Sequence, residues 1–169
     1  MNLQTERLIL RPFKPNDFER VHLYAGLPDF SQFDSWGPNS EEDTHKFITD
    51  AITKLEKNPP HEFEFAVCLK ESNLLIGGCG IRRESQESRV ANLGYGINPN
   101  FQGQGFATEV TRKLIATGFQ QFNLAVIYAT CDTRNTPSFK VMENAGMTRV
   151  GHIIKHKKVR DIMLSLIHI

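Results

Sequence analysis

The 169-residue chain is poor in the residues that mark several specialised protein classes. It has three cysteines and one tryptophan, and its 20 Lys and Arg residues are balanced by 19 Asp and Glu residues. Balanced charge provides no general electrostatic attraction to nucleic acid. Because Cys68, Cys79 and Cys131 form no CxxC pair, we expect reduced packing residues rather than a disulfide framework or a zinc site.

The sequence also lacks an apolar run long enough to span a bilayer. Its first residues do not have the basic, apolar and small-residue order of a secretory signal. The hydrophobic content of 40% and the charged content of 23% are ordinary for a globular protein. We therefore expect one cytoplasmic domain spanning residues 1–169, monomeric or homodimeric, with no nucleic-acid, membrane or metal partner.

Hydrophobic periodicity predicts a mixed α/β fold. Alternating apolar residues indicate strands, and apolar residues spaced three and four apart indicate helices. The predicted order is strand, two helices, three strands, helix, strand, helix and two strands, with the last two strands joined by a turn at residues 156–158. Consecutive strands without intervening helices favour a largely antiparallel central sheet of about seven strands with flanking helices.

The stretch from residue 98 to residue 109 carries the most specific pattern. Apolar residues alternate up to Ile97, Gly103 and Gly105 follow, and a helical pattern begins at Ala107. The two glycines allow the backbone amides of residues 102–107 to approach a ligand, and a helix N-terminus attracts phosphate. The pattern therefore indicates an anion-binding turn, although it also suits a plain strand-to-helix connection.

A second unusual segment runs from residue 27 to residue 39. It has no regular period and contains the only tryptophan, Trp36, together with Phe30 and Phe33. An aromatic loop of this kind is either a lid folded on the core or a wall of a substrate pocket, and the sequence favours neither.

The order of elements and the glycine turn together resemble the GNAT superfamily of acetyl-CoA-dependent N-acetyltransferases. The pyrophosphate signature of that superfamily is Gln or Arg, two residues, Gly, one residue, and Gly or Ala. Gln102, Gly105 and Ala107 stand at its fixed positions. The segments 5–11, 36–42 and 135–147 resemble the RimJ/RimL-like branch, so that the resemblance covers nearly the whole chain.

The resemblance implies acetyl-CoA as co-substrate. It places the pyrophosphate on a cradle of backbone amides, supports main-chain bonds between Ile97 and the pantetheine, and gives Asn135 a contact with the same molecule. Ser138 matches a serine proposed in this branch to protonate the leaving thiol, directly or through water. The cradle residues are Gln102, Gly103, Gln104, Gly105, Phe106 and Ala107.

Two positions depart from the family pattern. Met142 stands where many members have a tyrosine acid, and a thioether cannot donate a proton. Ser165 stands where an aromatic residue is common, on the acceptor side of the pocket. The first departure leaves Ser138 or a water molecule as the acid.

The implied reaction needs a base, because an alkylammonium has a pKa of about 10.4 and attacks a thioester only when it is neutral. Glu62, Glu64, Glu84 and His61 lie near strand ends that could face the acceptor, and the sequence does not distinguish among them or an ordered water chain. We take Glu64 as the candidate base, and Glu84 and Trp36 as candidate acceptor-binding residues.

The leading hypothesis is an N-acetyltransferase that transfers an acetyl group from acetyl-CoA to a primary amine, either a protein N-terminus or a small molecule, by direct attack on the thioester. The alternative is a non-catalytic CoA-binding regulatory module, which the residues Met142 and Ser165 favour. A dinucleotide-binding domain is disfavoured, because the glycine turn follows strands in hairpin succession and lacks a third glycine and a distal acid.

Overall fold

The computed structural model of the chain describes residues 1–34, 36–57, 60–155 and 158–166, with the backbone alone for residues 152–155 and 158–166. Within these ranges lie eight β-strands and four α-helices. The strands are β1 Leu3–Gln4, β2 Leu8–Pro12, β3 Glu62–Leu69, β4 Leu75–Arg83, β5 Val90–Ile97, β6 Val126–Asp132, β7 Thr148–Lys155 and β8 Lys158–Leu166. The helices are α1 Phe18–Ala25, α2 Glu41–Glu56, α3 Phe106–Gln120 and α4 Thr136–Asn144.

The strands form one sheet in the order β1-β2-β3-β4-β5-β6-β8-β7. Every neighbouring pair is antiparallel except β5 and β6, which run parallel. The prediction of a mixed α/β fold with a largely antiparallel sheet is confirmed. The additional strand is the two-residue β1, which pairs Leu3 with Leu10 and is too short to show an alternating pattern in the sequence.

The sheet is loosely joined between β5 and β6. Their pairing covers only residues 90–92 of β5 and 126–128 of β6, while β6 continues to pair with β8 as far as Asp132. Asn98 donates its amide to Ile76 of β4, and Val90 accepts from Glu84. Because hydrogen-bonding directions alternate along an antiparallel strand, the backbone groups of residues 93, 95 and 97 point away from β4 into the gap.

The helices cover both faces of the sheet. On one face, α3 packs through Val110 and Leu114 on inward residues of β2 to β6, and Met142 of α4 joins the same core. On the opposite face, α1 and α2 pack through Val21 and Ile48 on a second, smaller core. The alternation of β3 explains this division, because odd-numbered residues of β3 lie in the first core and Ala66 and Cys68 in the second.

The helix starts follow from capping side chains. Ser40 caps α2, since its hydroxyl accepts from the amide of Asp43 and the Asp43 carboxylate accepts from the amide of Ser40. At α4 the sequence Thr136-Pro137 predicts Thr136 as the N-cap and Pro137 as the first helical residue, and this prediction is wrong. Asn135 holds that position, and its Oδ1 atom accepts from the amide of Ser138 over 3.1 Å.

The last two strands were predicted as a hairpin, and β7 pairs with β8 in antiparallel register from Thr148 to Lys155. Two residues of the predicted turn, His156 and Lys157, lie outside the described residues. In the part of the chain that the structure describes, no helix is both long and apolar enough to cross a membrane.

Candidate active site

The connection between β5 and α3 is folded back onto the end of β5. A short 3-10 turn at Pro99–Phe101 follows the strand, and Asn98 caps it by accepting from the amide of Asn100. Gln102 then turns its side chain back, so that its Nε2 atom donates to the carbonyl oxygen of Ile97 over 2.8 Å. Two predicted site residues are therefore bonded to each other, and the side chain of Gln102 supports the turn.

The two glycines of this connection both have left-handed backbone conformations. Gly103 has φ +75° and Gly105 has φ +81°, values that side chains other than that of glycine rarely adopt. A Cβ atom at Gly103 would meet no heavy atom within 4 Å, so the surface of the turn is open there. The sequence pattern located these glycines correctly because the conformation requires them.

The turn presents backbone amides that are free to bind an anion. In the described part of the chain, the amides of Gly103, Gln104 and Gly105 donate no hydrogen bond, and α3 begins its hydrogen bonding with the amide of Glu109 and the carbonyl of Gly105. Phe106 is buried in the core, so its contribution to the cradle is its amide. Together with the amide of Ala107, these groups lie at the N-terminus of α3, where backbone amides can bind an anion.

Arg7 and Glu109 brace the cradle and were not predicted as site residues. The guanidinium of Arg7 lies 4.4 Å from the ring centroid of Phe106 and donates through Nη1 to the carbonyl oxygen of Gln104. Its Nε atom donates to Glu109 over 2.7 Å, and Thr5 donates its hydroxyl to the same carboxylate. The opening segment of the chain thereby holds the first turn of α3.

Ser138 lies across the gap from β5, in the first turn of α4. The phenolic oxygen of Tyr95 in β5 is 3.0 Å from both the hydroxyl and the carbonyl oxygen of Ser138. Burial raises the pKa of Tyr95 above the usual tyrosine range. The side-chain oxygen of Asn135 is committed to capping α4, and Met142 is buried in the core.

On the face of β4 and β5 that points away from α3 and α4, four glycines form a surface without side chains, the glycine floor. Gly78 pairs with Gly96, and Gly80 pairs with Gly94, which places these four glycines on one face. A Cβ atom at Gly96 would contact the ring of Phe30, and one at Gly80 would contact the carboxylate of Glu64. At Gly94 it would meet nothing within 4 Å, so space remains over this residue.

Glu64 borders this glycine floor and is buried, with 7% of its surface exposed. Arg82 binds it through Nε at 2.7 Å and Nη2 at 2.5 Å. Burial raises the pKa of Glu64, and the charge of Arg82 offsets this increase only in part. For Glu62, burial has the same tendency, but Lys54 binds the carboxylate over 2.6 Å and the net effect is a lowered pKa.

The aromatic segment lies beside the floor. Phe30 packs against Gly96 and makes an edge contact with Trp36 at a centroid distance of 5.8 Å. Trp36 is 47% exposed and lines a cleft of about 440 Å³ together with Phe47 and other residues of α2. Phe47 also lines the smaller adjoining cavity that contains Glu64 and Arg82.

The remaining candidates lie farther along the sheet. Glu84 is at the β4–β5 turn, where its amide donates to Val90, and its carboxylate contributes after burial to the raised pKa of Tyr128. His61 precedes β3, with Nε2 3.5 Å from Glu62. The side chain of Ser165 lies outside the described residues, although its backbone pairs with Ile127. Cys68, Cys79 and Cys131 are all buried.

Comparison with known families decides the class of this site. The GNAT acetyltransferase domain family matches residues 7–148. The chain belongs to the GNAT acetyltransferase family. As a GNAT protein it is an acyltransferase.

Individual GNAT proteins resemble this chain over most of its length. The uncharacterized N-acetyltransferase YnaD of Bacillus subtilis (strain 168) is 32% identical over 156 residues, which cover 92% of this chain and 87% of YnaD. A crystal structure of a GNAT-family acetyltransferase from Bacillus anthracis has a TM-score of 0.88 and 31% identity, and covers 98% of both chains. The microcin C7 self immunity acetyltransferase MccE, solved with acetyl-CoA and AMP, shares the fold, with a TM-score of 0.82, 18% identity and coverage of 96% and 94%.

Proposed function

We propose that this GNAT protein is a single domain over residues 1–169 that transfers an acetyl group from acetyl-CoA to a primary amine. The observation that carries the proposal is the edge of β5 beyond its short pairing with β6. This edge leads from the open glycine floor to amides at the start of α3 that donate no hydrogen bond within the described residues. The resemblance to the RimJ/RimL-like branch and the acetyl-CoA bound to MccE support the choice of donor.

The residues fit this donor. The amides of residues 103–107 would hold its pyrophosphate, since the two left-handed glycines keep the surface of the turn open. The backbone groups of Leu93 and Tyr95 and the amide of Ile97 face the gap and would hold its pantetheine amides as an added strand does. Asn135 would contribute through its side-chain nitrogen. When bound, acetyl-CoA supplies an acetyl group activated as a thioester.

The acceptor amine would enter from the face of the glycine floor. Glu64 lies at the border of the space over Gly94, and its raised pKa makes it a stronger base than an exposed glutamate. It would take the proton of the incoming ammonium. A backbone N–H on the free edge of β5 would donate to the oxygen that becomes negative during the attack.

The leaving sulfur would face the first turn of α4. Ser138 is the hydroxyl-bearing residue of that turn next to the gap, and Met142 is buried and cannot donate a proton. Ser138 would therefore donate to the sulfur. Many GNAT proteins have a tyrosine acid at the position of Met142, and Ser138 would take over its role here.

Two acceptor classes fit the floor, a peptide N-terminus and a small-molecule amine. The 440 Å³ cleft beside Trp36 extends the space around Glu64 toward α2, so the acceptor would contact Trp36 with the part that lies away from its amine. Glu84, at the far end of β4, would contact only a longer acceptor. Acceptors of both classes react through a primary amine, so Glu64 would deprotonate either of them in the same way.

A thiol-release assay tests the proposal. The protein is incubated with acetyl-CoA and a panel of N-terminal peptides and small amines, and free thiol is measured against an amine-free control. We expect release above hydrolysis with at least one amine, together with the acetylated product by mass spectrometry. Calorimetry with CoA separates the alternatives: tight binding without turnover on a broad panel would select the regulatory module, and no binding would refute the cradle.

A further inference from the structure

The contact between Tyr95 and Ser138 joins β5 to α4 through two residues that are 43 positions apart in the sequence. Tyr95 is in β5 and points toward the α3 and α4 face, as do Leu93 and Ile97 in the main core. Its phenolic oxygen reaches past the gap to α4, where it meets both oxygens of Ser138 at 3.0 Å. The contact therefore spans the opening that would receive the thioester.

The two oxygens of Ser138 accept in different ways. Its carbonyl oxygen can only accept, whereas its hydroxyl both donates and accepts. The single phenolic proton therefore goes to the carbonyl oxygen, and the serine hydroxyl is left to donate to the phenolic oxygen or to another acceptor on that side. Tyr95 remains a donor throughout, because burial raises its pKa and keeps the phenol protonated at neutral pH.

Without this partner, the Ser138 hydroxyl has a competing local acceptor. A serine in a helix readily donates to the backbone carbonyl of the preceding turn, which withdraws its proton from any external group. The phenolic oxygen of Tyr95 is an alternative acceptor on the gap side of α4, and hydrogen bonds in a buried chain strengthen one another. Tyr95 supplies this acceptor from a rigid strand.

We propose that Tyr95 is a positioning residue for Ser138: its phenol binds the serine carbonyl and accepts from the serine hydroxyl, so that the serine proton stays on the side of the gap and can turn to the sulfur leaving acetyl-CoA. The inference rests on the proposed function. The ammonium gives one proton to Glu64. The carbon–nitrogen bond then forms as the carbon–sulfur bond breaks, the sulfur keeps the bonding electron pair, and the nitrogen loses its second proton to water. The thiolate is stabilised by the hydrogen bond from Ser138 and takes a proton from water when CoA is released.

A double-mutant cycle tests this role. Tyr95→Phe removes one oxygen and keeps the ring. We expect its kcat to fall about tenfold, the rate equivalent of one ordinary hydrogen bond, with little change in KM for either substrate. Ser138→Ala should lower kcat at least as much. In the Ser138→Ala background, Tyr95→Phe should have no further effect on kcat, because the group through which it acts is already absent.

The matched control is Thr117→Val, which also removes a buried hydroxyl on this side of the sheet. Among the described residues the Thr117 hydroxyl has no hydrogen-bond partner, and its position at the end of α3 is remote from the glycine turn. This variant should retain the wild-type kcat. A merely structural role of Tyr95 would instead give a fall in kcat of equal factor in both backgrounds.

A second measurement does not depend on the Tyr95 variant folding. The chain has three tyrosines, so protein labelled with 13C at the phenolic carbon gives three NMR signals. Ser138→Ala should shift one of them. Any of three results would overturn the inference without contradicting the proposed acetyl transfer. These are an unshifted NMR spectrum, an unchanged kcat for Tyr95→Phe, and an equal fall in kcat from Tyr95→Phe in the wild-type and Ser138→Ala backgrounds. Absence of thiol release by the wild-type protein would overturn both proposals.

Discussion

The guanidinium of Arg7 is bound to the carboxylate of Glu109, with Nε and Nη2 each 2.7 Å from Oε2. The second carboxylate oxygen accepts from the backbone amide of Arg7 and from the hydroxyl of Thr5. One side chain in the first turn of α3 therefore ties down the segment before β2, and Arg7 in turn holds Gln104 in the cradle.

Glu109 should contribute stability that depends on pH. Burial tends to raise its pKa, but the bonds from Thr5 and Arg7 outweigh it, and the net pKa in the folded state is lowered. A lowered folded-state pKa gives stabilisation that is complete above the ordinary glutamate pKa of about 4.3 and is lost as the pH falls through the folded value. Glu109→Gln should therefore reduce the free energy of unfolding at pH 7 and by less under acid.

Urea denaturation at a series of pH values measures this difference. Glu71→Gln, an exposed glutamate at the β3–β4 turn, is the control and should follow the wild-type curve. If the loss in free energy of unfolding caused by Glu109→Gln stayed constant from pH 7 into the acid range, the charged carboxylate of Glu109 would not be the source of the stabilisation.

Gly105→Val should abolish CoA binding while the protein remains folded. Valine is strained at φ +81° and adds bulk where the amides must approach the pyrophosphate. Gly146→Val is the matched control, because Gly146 has φ +90° at the end of α4. A Cβ atom there would meet nothing within 4 Å, and one at Gly105 would make only an ordinary contact with Arg7 at 3.6 Å. Both variants should lose roughly 1–3 kcal/mol of stability, but only the first should lose CoA binding in calorimetry. If the two variants bound CoA with equal affinity, the assignment of the cradle to residues 102–107 would be wrong.

Gly94→Val should impair the use of the amine without affecting the donor. The added side chain enters the space over the glycine floor and meets no atom of the protein at its Cβ position, so the fold should tolerate it. We expect the KM for the amine to rise by about tenfold or more, as occlusion of a pocket costs at least 1–3 kcal/mol. The Kd for CoA should not change. A wild-type KM for every amine would place the acceptor elsewhere.

Glu64→Gln should separate the base candidates that the sequence left open. We expect kcat/KM for the amine to fall about 100-fold, the usual contribution of a general base. Glu62→Gln is the matched control, since the pKa of Glu62 is lowered and its carboxylate is held by Lys54. It should retain most activity.

The pH profile gives a second readout for Glu64. A base is active only when deprotonated, so the wild-type rate should fall on acidification at a pH above the ordinary glutamate range, because the pKa of Glu64 is raised. This acid limb should disappear in Glu64→Gln. The same raised pKa means that the buried carboxylate loses stabilisation as the pH rises, so the glutamine variant should be no less stable at pH 7.

Local patterns predicted the elements well, because a strand or helix that packs on one face repeats its apolar residues at a fixed period. They also located the glycine turn, since its backbone conformation restricts which residues fit. The N-cap of α4 was misassigned because Asn135 and Thr136 are both capping residues in adjacent positions, and only the geometry distinguishes them.

Long-range partners could not be predicted in the same way. Arg7 and Glu109 lie 102 residues apart, and an arginine near the start of a strand carries no sign of which carboxylate it will meet. The same holds for Tyr95 and Ser138. The glycine floor is likewise a product of register, because Gly80 and Gly94 become neighbours only when β4 and β5 pair as they do.

The short parallel pairing of β5 with β6 also has a mechanical consequence. Strands β6, β8 and β7 are joined to the rest of the sheet's hydrogen-bond ladder through three residue pairs, at one end of a wedge-shaped opening. A molecule that hydrogen-bonds along β5 inside this opening and contacts α4 on its far side would link the two parts of the sheet. Binding of acetyl-CoA would then slow amide hydrogen exchange in β6, a strand whose backbone acetyl-CoA need not touch.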